Sequence, residues 1–122
     1  MSIPKTEFDP YALLPLPSAA FHILVALAEG DRHGYGIMRD VAAGTDGGLK
    51  LNPGTLYTTI RRLLEQGLVV ELDERPDPDD DDERRRYYRL TDNGRAVARA
   101  EAVRLQQALA FARQAGLAPK RM

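Results

Sequence analysis

The chain has 122 residues, of which 43% are hydrophobic, with 17 lysines and arginines, 18 aspartates and glutamates and no cysteine. This length corresponds to one domain, and the lack of cysteine excludes disulfides, thiolate metal sites and a cysteine nucleophile. No apolar run reaches about 18 residues, which predicts no membrane-spanning helix. The N-terminus also lacks a basic segment followed by an apolar core. We therefore expect a soluble cytoplasmic protein with no membrane partner.

The formal net charge of -1 hides an uneven distribution of charge. Residues 71–83 hold nine acidic side chains and one arginine, which leaves nine acidic against 16 basic residues elsewhere, a surplus of seven positive charges. Because the local field attracts phosphate more than the net charge does, this basic body is compatible with a nucleic-acid partner.

The first part of the chain predicts an arm and two helices. Four prolines in residues 1–17 prevent a long helix there and predict an N-terminal arm. Ser18 can cap a helix, and apolar residues at helical spacing after it predict a helix over residues 19–29, which Gly30 ends. A second helix is expected to begin at His33 or Gly34, with His33 as its cap, and to run to about Ala43.

The rest of the chain predicts a third helix, a hairpin and a long last helix. Asn52 followed by Pro53 is a strong helix start, and the third helix should end near Gln66. Residues 68–73 and 86–91 predict two antiparallel strands, with the acidic segment between them as a long hairpin loop. Thr91 can cap a final helix over residues 92–114.

This order of elements predicts a mainly α fold with a small two-stranded β-hairpin. We expect an N-terminal arm (residues 1–17), a winged helix-turn-helix domain (18–91), a C-terminal dimerisation helix (92–116) and a short tail (117–122).

The third helix separates into two faces on a helical wheel. Four residues, Leu56, Ile60, Leu63 and Leu64, share an apolar arc, which should face the core. The opposite arc and its border carry the residues that we predict to contact DNA: Thr55, Tyr57, Thr58, Thr59, Arg61 and Arg62. Short hydroxyl side chains let a helix approach the major groove, and arginine can bind guanine or phosphate. An ordinary amphipathic surface helix is an equally good interpretation of this helix alone, and packing at the core edge is the plainer role for Tyr57.

The predicted hairpin is basic at its base and acidic at its tip. We expect Arg84, Arg85 and Arg86 to hold the DNA backbone or enter a minor groove. A solvated basic strand edge that discourages aggregation is the alternative interpretation. We expect the acidic tip to be mobile and to point away from phosphate, or to fold back on the nearby arginines, and it lacks the spacing of a calcium-binding loop.

The last helix carries small and apolar residues spaced by alternating threes and fours, the pattern of a helix that packs along another helix. These predicted dimerisation residues are Ala98, Ala102, Leu105, Leu109 and Ala112. Packing against the first helix of the same chain is the alternative. A ligand pocket would lie where apolar residues of two chains meet, with Phe8, Tyr11, Leu109 and Phe111 as candidates, although such residues more often form core.

Three segments together resemble the PadR family of transcriptional regulators. They are ILVALAEGDRHGYGIMRDV, LNPGTLYTTIRRLLEQGLV and DDERRRYYRLTDNGR, which occur in this order within about residues 18–95. The resemblance implies a winged-helix homodimer that binds operator or promoter DNA and represses a nearby promoter, often until a small aromatic or drug-like ligand binds. It also implies that the helix from Pro53 is the recognition helix and that Arg84, Arg85 and Arg86 lie in the wing. The long acidic wing tip and the proline-rich arm depart from the family pattern.

Other functions are less compatible with the sequence. The only histidines are His22 and His33, and we find no nucleophile with a general base, so no enzyme activity, cofactor or metal is expected. The main rival is a winged-helix module that binds another protein through its acidic loop.

Overall fold

The computed structural model describes residues 7–77 and 80–117, except for the side chains of residues 74–84. A 3-10 turn in the arm, Pro10–Leu13, precedes the regular elements. These are α1 (Ser18–Ala28), β1 (Arg32–His33), α2 (Gly34–Gly44), α3 (Pro53–Glu65), β2 (Val69–Asp77), β3 (Asp80–Leu90) and α4 (Asp92–Gln114).

Side-chain caps fix the starts of three helices at the predicted places, whereas Ser18, the predicted cap of α1, is instead its first residue and α1 has no side-chain cap. His33 accepts a hydrogen bond from the Gly36 amide at 3.0 Å at the start of α2. The side-chain Oδ1 of Asn52 accepts from the Thr55 amide at 2.8 Å at the start of α3, and the Thr91 hydroxyl accepts from the Gly94 amide at 2.9 Å at the start of α4. Each cap satisfies one of the amides that a helix start leaves without an intrahelical acceptor.

The core lies where α1 crosses the other helices and the sheet. Residues with no exposed surface include Ile23 and Leu24 of α1, Leu56 of α3, Leu68 just before β2, and Val97 of α4. Gly94 allows α4 to begin directly against this core, because a Cβ there would lie 3.0 Å from the Leu68 carbonyl carbon. The N-terminal half of α4 therefore belongs to the winged-helix body.

The sheet has three strands in the order β1-β3-β2, whereas two strands were predicted. The additional strand, β1, contains two residues, and it pairs Arg32 with Tyr88 and His33 with Tyr87. Two residues are too short to show any periodicity, so this strand depends entirely on pairing with a distant segment.

The prediction of a long acidic hairpin loop was wrong, because β2 and β3 extend to Asp77 and Asp80. Their register pairs Glu74 with Arg86, but also Arg75 with Arg85 and Asp77 with Asp80, so both opposite and like charges are paired along the hairpin. The register shifts between Glu71 and Glu74 and again between Pro76 and Asp77, where proline has no amide hydrogen to donate to the ladder. We call this hairpin of β2 and β3 the wing.

Candidate nucleic-acid interface

Helix α3 is held by one buried face and presents the opposite face to solvent. Leu56, Ile60 and Leu63 are at most 2% exposed. Thr55, Thr58, Arg61 and Arg62 are exposed on the other side, and we call these four residues the outer face of α3. The predicted separation of the two faces is therefore confirmed, while contact of the outer face with DNA remains a prediction.

The two arginines of the outer face have no ion-pair partner within the part of the chain that the structure describes. Other arginines nearby do have partners. The Arg89 guanidinium donates to both Asp31 carboxylate oxygens, at 3.0 and 2.8 Å, and Arg32 donates to Asp40 at 2.7 Å. The guanidinium groups of Arg61 and Arg62 are thus left for an external anion.

Two further residues of α3 that were predicted to contact DNA, Thr59 and Tyr57, also make contacts within the protein. The Thr59 side chain is half-buried, and its hydroxyl donates to the Thr55 carbonyl at 2.7 Å. The Tyr57 ring is 47% exposed and lies over Gly34, where a Cβ would approach the Tyr57 Cζ to 2.9 Å. Tyr57 therefore packs at the junction of α2 and α3, which is the plainer of the two roles considered for it.

The predicted wing arginines have different surroundings. Arg86 is exposed, and its Nη1 lies 3.6 Å from the Glu71 carboxylate, a weak ion pair that leaves part of its charge available. Arg85 is half-buried and has interaction partners within the protein. The side chain of Arg84 lies outside the described residues, as does the tip of the wing.

Sequence reasoning gave no DNA-binding role to two exposed side chains outside α3. Tyr35 is 56% exposed in the first turn of α2, and Lys50 is exposed just before α3. In helix-turn-helix proteins the helix before the recognition helix crosses the DNA backbone, so Tyr35 is well situated for a phosphate.

Both histidines have structural roles. His33 is buried, caps α2 and meets the Tyr87 ring edge-on at 5.3 Å. The Nδ1 atom of His22 lies 2.7 Å from the Ser18 carbonyl. Among the described residues no three potential metal ligands come together, and no described helix is long and apolar enough to cross a membrane.

The predicted dimerisation residues occupy different environments along α4. Ala98 is half-buried and packs against the core of its own chain. Ala102, Leu105 and Leu109 are exposed, and Ala112 is half-buried. The intrachain alternative thus holds for Ala98, while the second half of α4 extends beyond the body with apolar side chains exposed.

The candidate ligand residues do not share one cavity. Phe8 packs against the hydrophobic core. Tyr11 lines an open cavity beside α4 with Leu14 and Val103. Phe111 is 74% exposed and lies eight residues, or about 12 Å along the helix, beyond Val103. Within a single chain these residues form no common pocket.

A family model described as the transcriptional regulator PadR-like family matches residues 23–100. The chain belongs to this family. The match begins within α1 and ends within α4, so it includes α2, α3 and the wing. Among curated proteins no significant match is found.

Solved structures of transcriptional regulators have the same fold. A transcriptional regulator from Clostridium thermocellum is 25% identical, with a TM-score of 0.64 over 79% of this chain and 87% of that chain. A PadR family regulator from Clostridium difficile is 20% identical, with a TM-score of 0.67 over 80% and 97%. Bacillus subtilis PadR, determined in complex with operator DNA, is 17% identical, with a TM-score of 0.60 over 71% and 49%. The predicted winged-helix fold class is confirmed.

Proposed function

We propose that this PadR-like regulator binds promoter DNA as a homodimer and represses transcription, with the outer face of α3 in the major groove. The observation that carries the proposal is the pair of exposed arginines, Arg61 and Arg62, which have no ion-pair partner among the described residues and lie on a helix fixed by three buried side chains. The operator complex of Bacillus subtilis PadR supports it through the shared fold.

The outer face of α3 has suitable chemistry for this role. Each guanidinium can donate two parallel hydrogen bonds to a guanine edge or to a phosphate. The threonines are short enough to allow close approach, and their methyl groups can contact thymine. Arg86 in the wing, and Tyr35 and Lys50 beside α3, would add contacts to the backbone, which fix the position of the helix without reading sequence.

The second half of α4 supports the homodimer. Leu105 and Leu109 are 40% and 41% exposed, a large exposure for leucines of one continuous helix stripe. A groove between α1 and α4, lined by Phe21, Val25 and Ala102, extends this apolar surface. Two chains joined here would present two α3 helices to half-sites one DNA turn, ~34 Å, apart.

A titration of the promoter region with the intact protein tests DNA binding. Fluorescence anisotropy with the DNA upstream of its own gene should give a dissociation constant that rises steeply with salt, because bound arginines release counterions from phosphate. A variant with residues 79–82 changed to asparagine should bind this DNA at least equally well, because it loses four negative charges that repel phosphate. Absence of binding to any promoter fragment, or binding unaffected by salt, would contradict the proposal and favour the protein-binding module instead.

The dimer has a separate test. Leu105→Glu combined with Leu109→Glu should raise the dimer dissociation constant by about a hundredfold, because charges would be buried at the centre of an apolar interface. Sedimentation velocity over a range of concentrations measures this change. Gln107→Glu, which adds a charge at an exposed position on the opposite side of the same helix, is the matched control and should leave the dimer intact. A monomeric wild-type protein would overturn this part of the proposal.

We also propose that a small ligand relieves repression by lowering the affinity for DNA. This part rests on the family membership. In a dimer joined through α4, a ligand that bound one arrangement of the two chains better than another would change the spacing of the two α3 helices and so the affinity for DNA.

A further inference from the structure

The N-terminal arm lies between the recognition helix and the dimerisation helix. Tyr11 and Leu14 lie against α4, while Leu13 and Leu16 lie on the side of α3. The Leu16 amide donates a hydrogen bond of 2.9 Å to the carboxylate of Glu101 in α4, which is 2% exposed. The arm is therefore attached to α4 by a buried polar contact, with its other side facing α3.

Between the arm and α3 there is a cavity of ≈ 190 Å³. Its apolar wall includes Leu13, Leu16 and Leu63, and its polar rim includes Thr58, Arg62 and Gln66. No aromatic side chain lines it. The cavity thus combines aliphatic surface with hydroxyl, amide and guanidinium donors.

Size and chemistry restrict what this cavity can hold. An apolar cavity of about 150 Å³ is enough for a benzene ring, whereas sites for drug-sized molecules have about 300–1,000 Å³. Arg62 forms no ion pair among the described residues, so it can pair with a carboxylate. We propose that the cavity between the arm and α3 binds a small aliphatic carboxylate, with its alkyl part against the leucines and its carboxylate on Arg62.

Such a ligand would compete with DNA, and this consequence rests on the proposed function. Thr58 and Arg62 line the cavity and also belong to the outer face of α3. A carboxylate bound to Arg62 neutralises the guanidinium charge that would otherwise bind DNA. It also keeps the Arg62 side chain against the arm. By linkage, the ligand must weaken DNA binding and DNA must weaken ligand binding by the same factor. This site is separate from Tyr11, Leu109 and Phe111.

Calorimetry on the full-length protein without DNA tests the site itself. The probes are sodium 4-methylpentanoate and its neutral amide, 4-methylpentanamide, which have the same alkyl group. The carboxylate should bind about tenfold more tightly than the amide, because it gains a charged hydrogen bond. Arg62→Gln, at an exposed position, should remove this preference. Equal binding of the two probes, or none of the carboxylate, would overturn the proposal.

Neighbouring leucines of the arm offer matched variants for locating the ligand. Leu13→Phe fills the cavity on the α3 side and should lower the affinity for 4-methylpentanoate by at least about tenfold. Leu14→Phe makes the same chemical change on the α4 side and should leave ligand affinity unchanged. If both variants bind like the wild type, or if only Leu14→Phe loses binding, the ligand lies elsewhere and the proposed site is wrong.

A competition experiment separates failure of this site from failure of the proposed function. Sodium 4-methylpentanoate should raise the dissociation constant for promoter DNA relative to sodium chloride of equal ionic strength, and Leu13→Phe should abolish that difference. If the wild type binds DNA but the carboxylate does not compete, the inference fails while the DNA-binding proposal stands. If the carboxylate binds in calorimetry but no promoter DNA binds, the site stands and the function fails.

Discussion

Combining Thr58→Glu with Arg62→Glu is expected to abolish binding to promoter DNA while the dimer persists. Both side chains are exposed on α3 and lie one helical turn apart, so the two glutamates would meet phosphate at the same place. Loss of an arginine contact and addition of repulsion should together reduce affinity by about a thousandfold or more. Anisotropy titrations at one fixed salt concentration measure the loss, and circular dichroism checks that the helices remain.

A variant with the same change in net charge is the appropriate control. Changing Gln107, Ala110 and Gln114 to glutamate adds the same negative charge at exposed positions of α4, away from the outer face of α3 and from Leu105 and Leu109. This variant should weaken DNA binding only slightly, through the overall field. Equal losses in the two variants would mean that net charge and not position governs binding. Dissociation of the dimer by Thr58→Glu with Arg62→Glu would contradict the separation of DNA binding and pairing.

The helices could be predicted closely because their signals are local. Asn52 with Pro53, and Thr91 before Asp92, carry capping chemistry within a few residues, and α3 and α4 begin where these signals indicate. The apolar arc of α3 likewise needed only the helical period, and Leu56, Ile60 and Leu63 are buried accordingly. The exposed outer face of α3 was predicted from the same helical wheel.

The wing and the arm depend on contacts between distant segments of the chain, which local sequence patterns do not reveal. Acidic residues favour solvent, yet backbone pairing with β3 extends β2 to Asp77. Glu101 could be interpreted from the sequence only as an exposed partner of Arg104, three residues later. Its burial arises because the arm, 85 residues away, covers it. The cavity next to α3 could not be predicted for the same reason, because residues of the arm form one of its walls.

Replacement of Glu101 is the second change for which we expect a large effect. Its carboxylate is 2% exposed and accepts hydrogen bonds from the Leu16 amide and the Arg104 guanidinium. Glu101→Leu leaves that amide without its acceptor and should lower the free energy of unfolding by about 2 kcal/mol. Glu101→Gln keeps the size of the side chain and one acceptor oxygen, so its free energy of unfolding should fall by less. Urea unfolding at neutral pH measures both variants.

The pH dependence distinguishes the charged contact from simple packing. The hydrogen bond from Arg104 lowers the pKa of Glu101, and the Leu16 amide lowers it further, against the opposing effect of burial. A carboxylate whose pKa is lower in the folded state stabilises the fold above its unfolded pKa, and this stabilisation is lost as pH falls through the folded pKa. The advantage of the wild type over Glu101→Gln should therefore be full at neutral pH and shrink below the ordinary value of 4.5. An advantage that stays constant down to complete acid unfolding would show that the charge contributes nothing and that Glu101 only fills space beneath the arm.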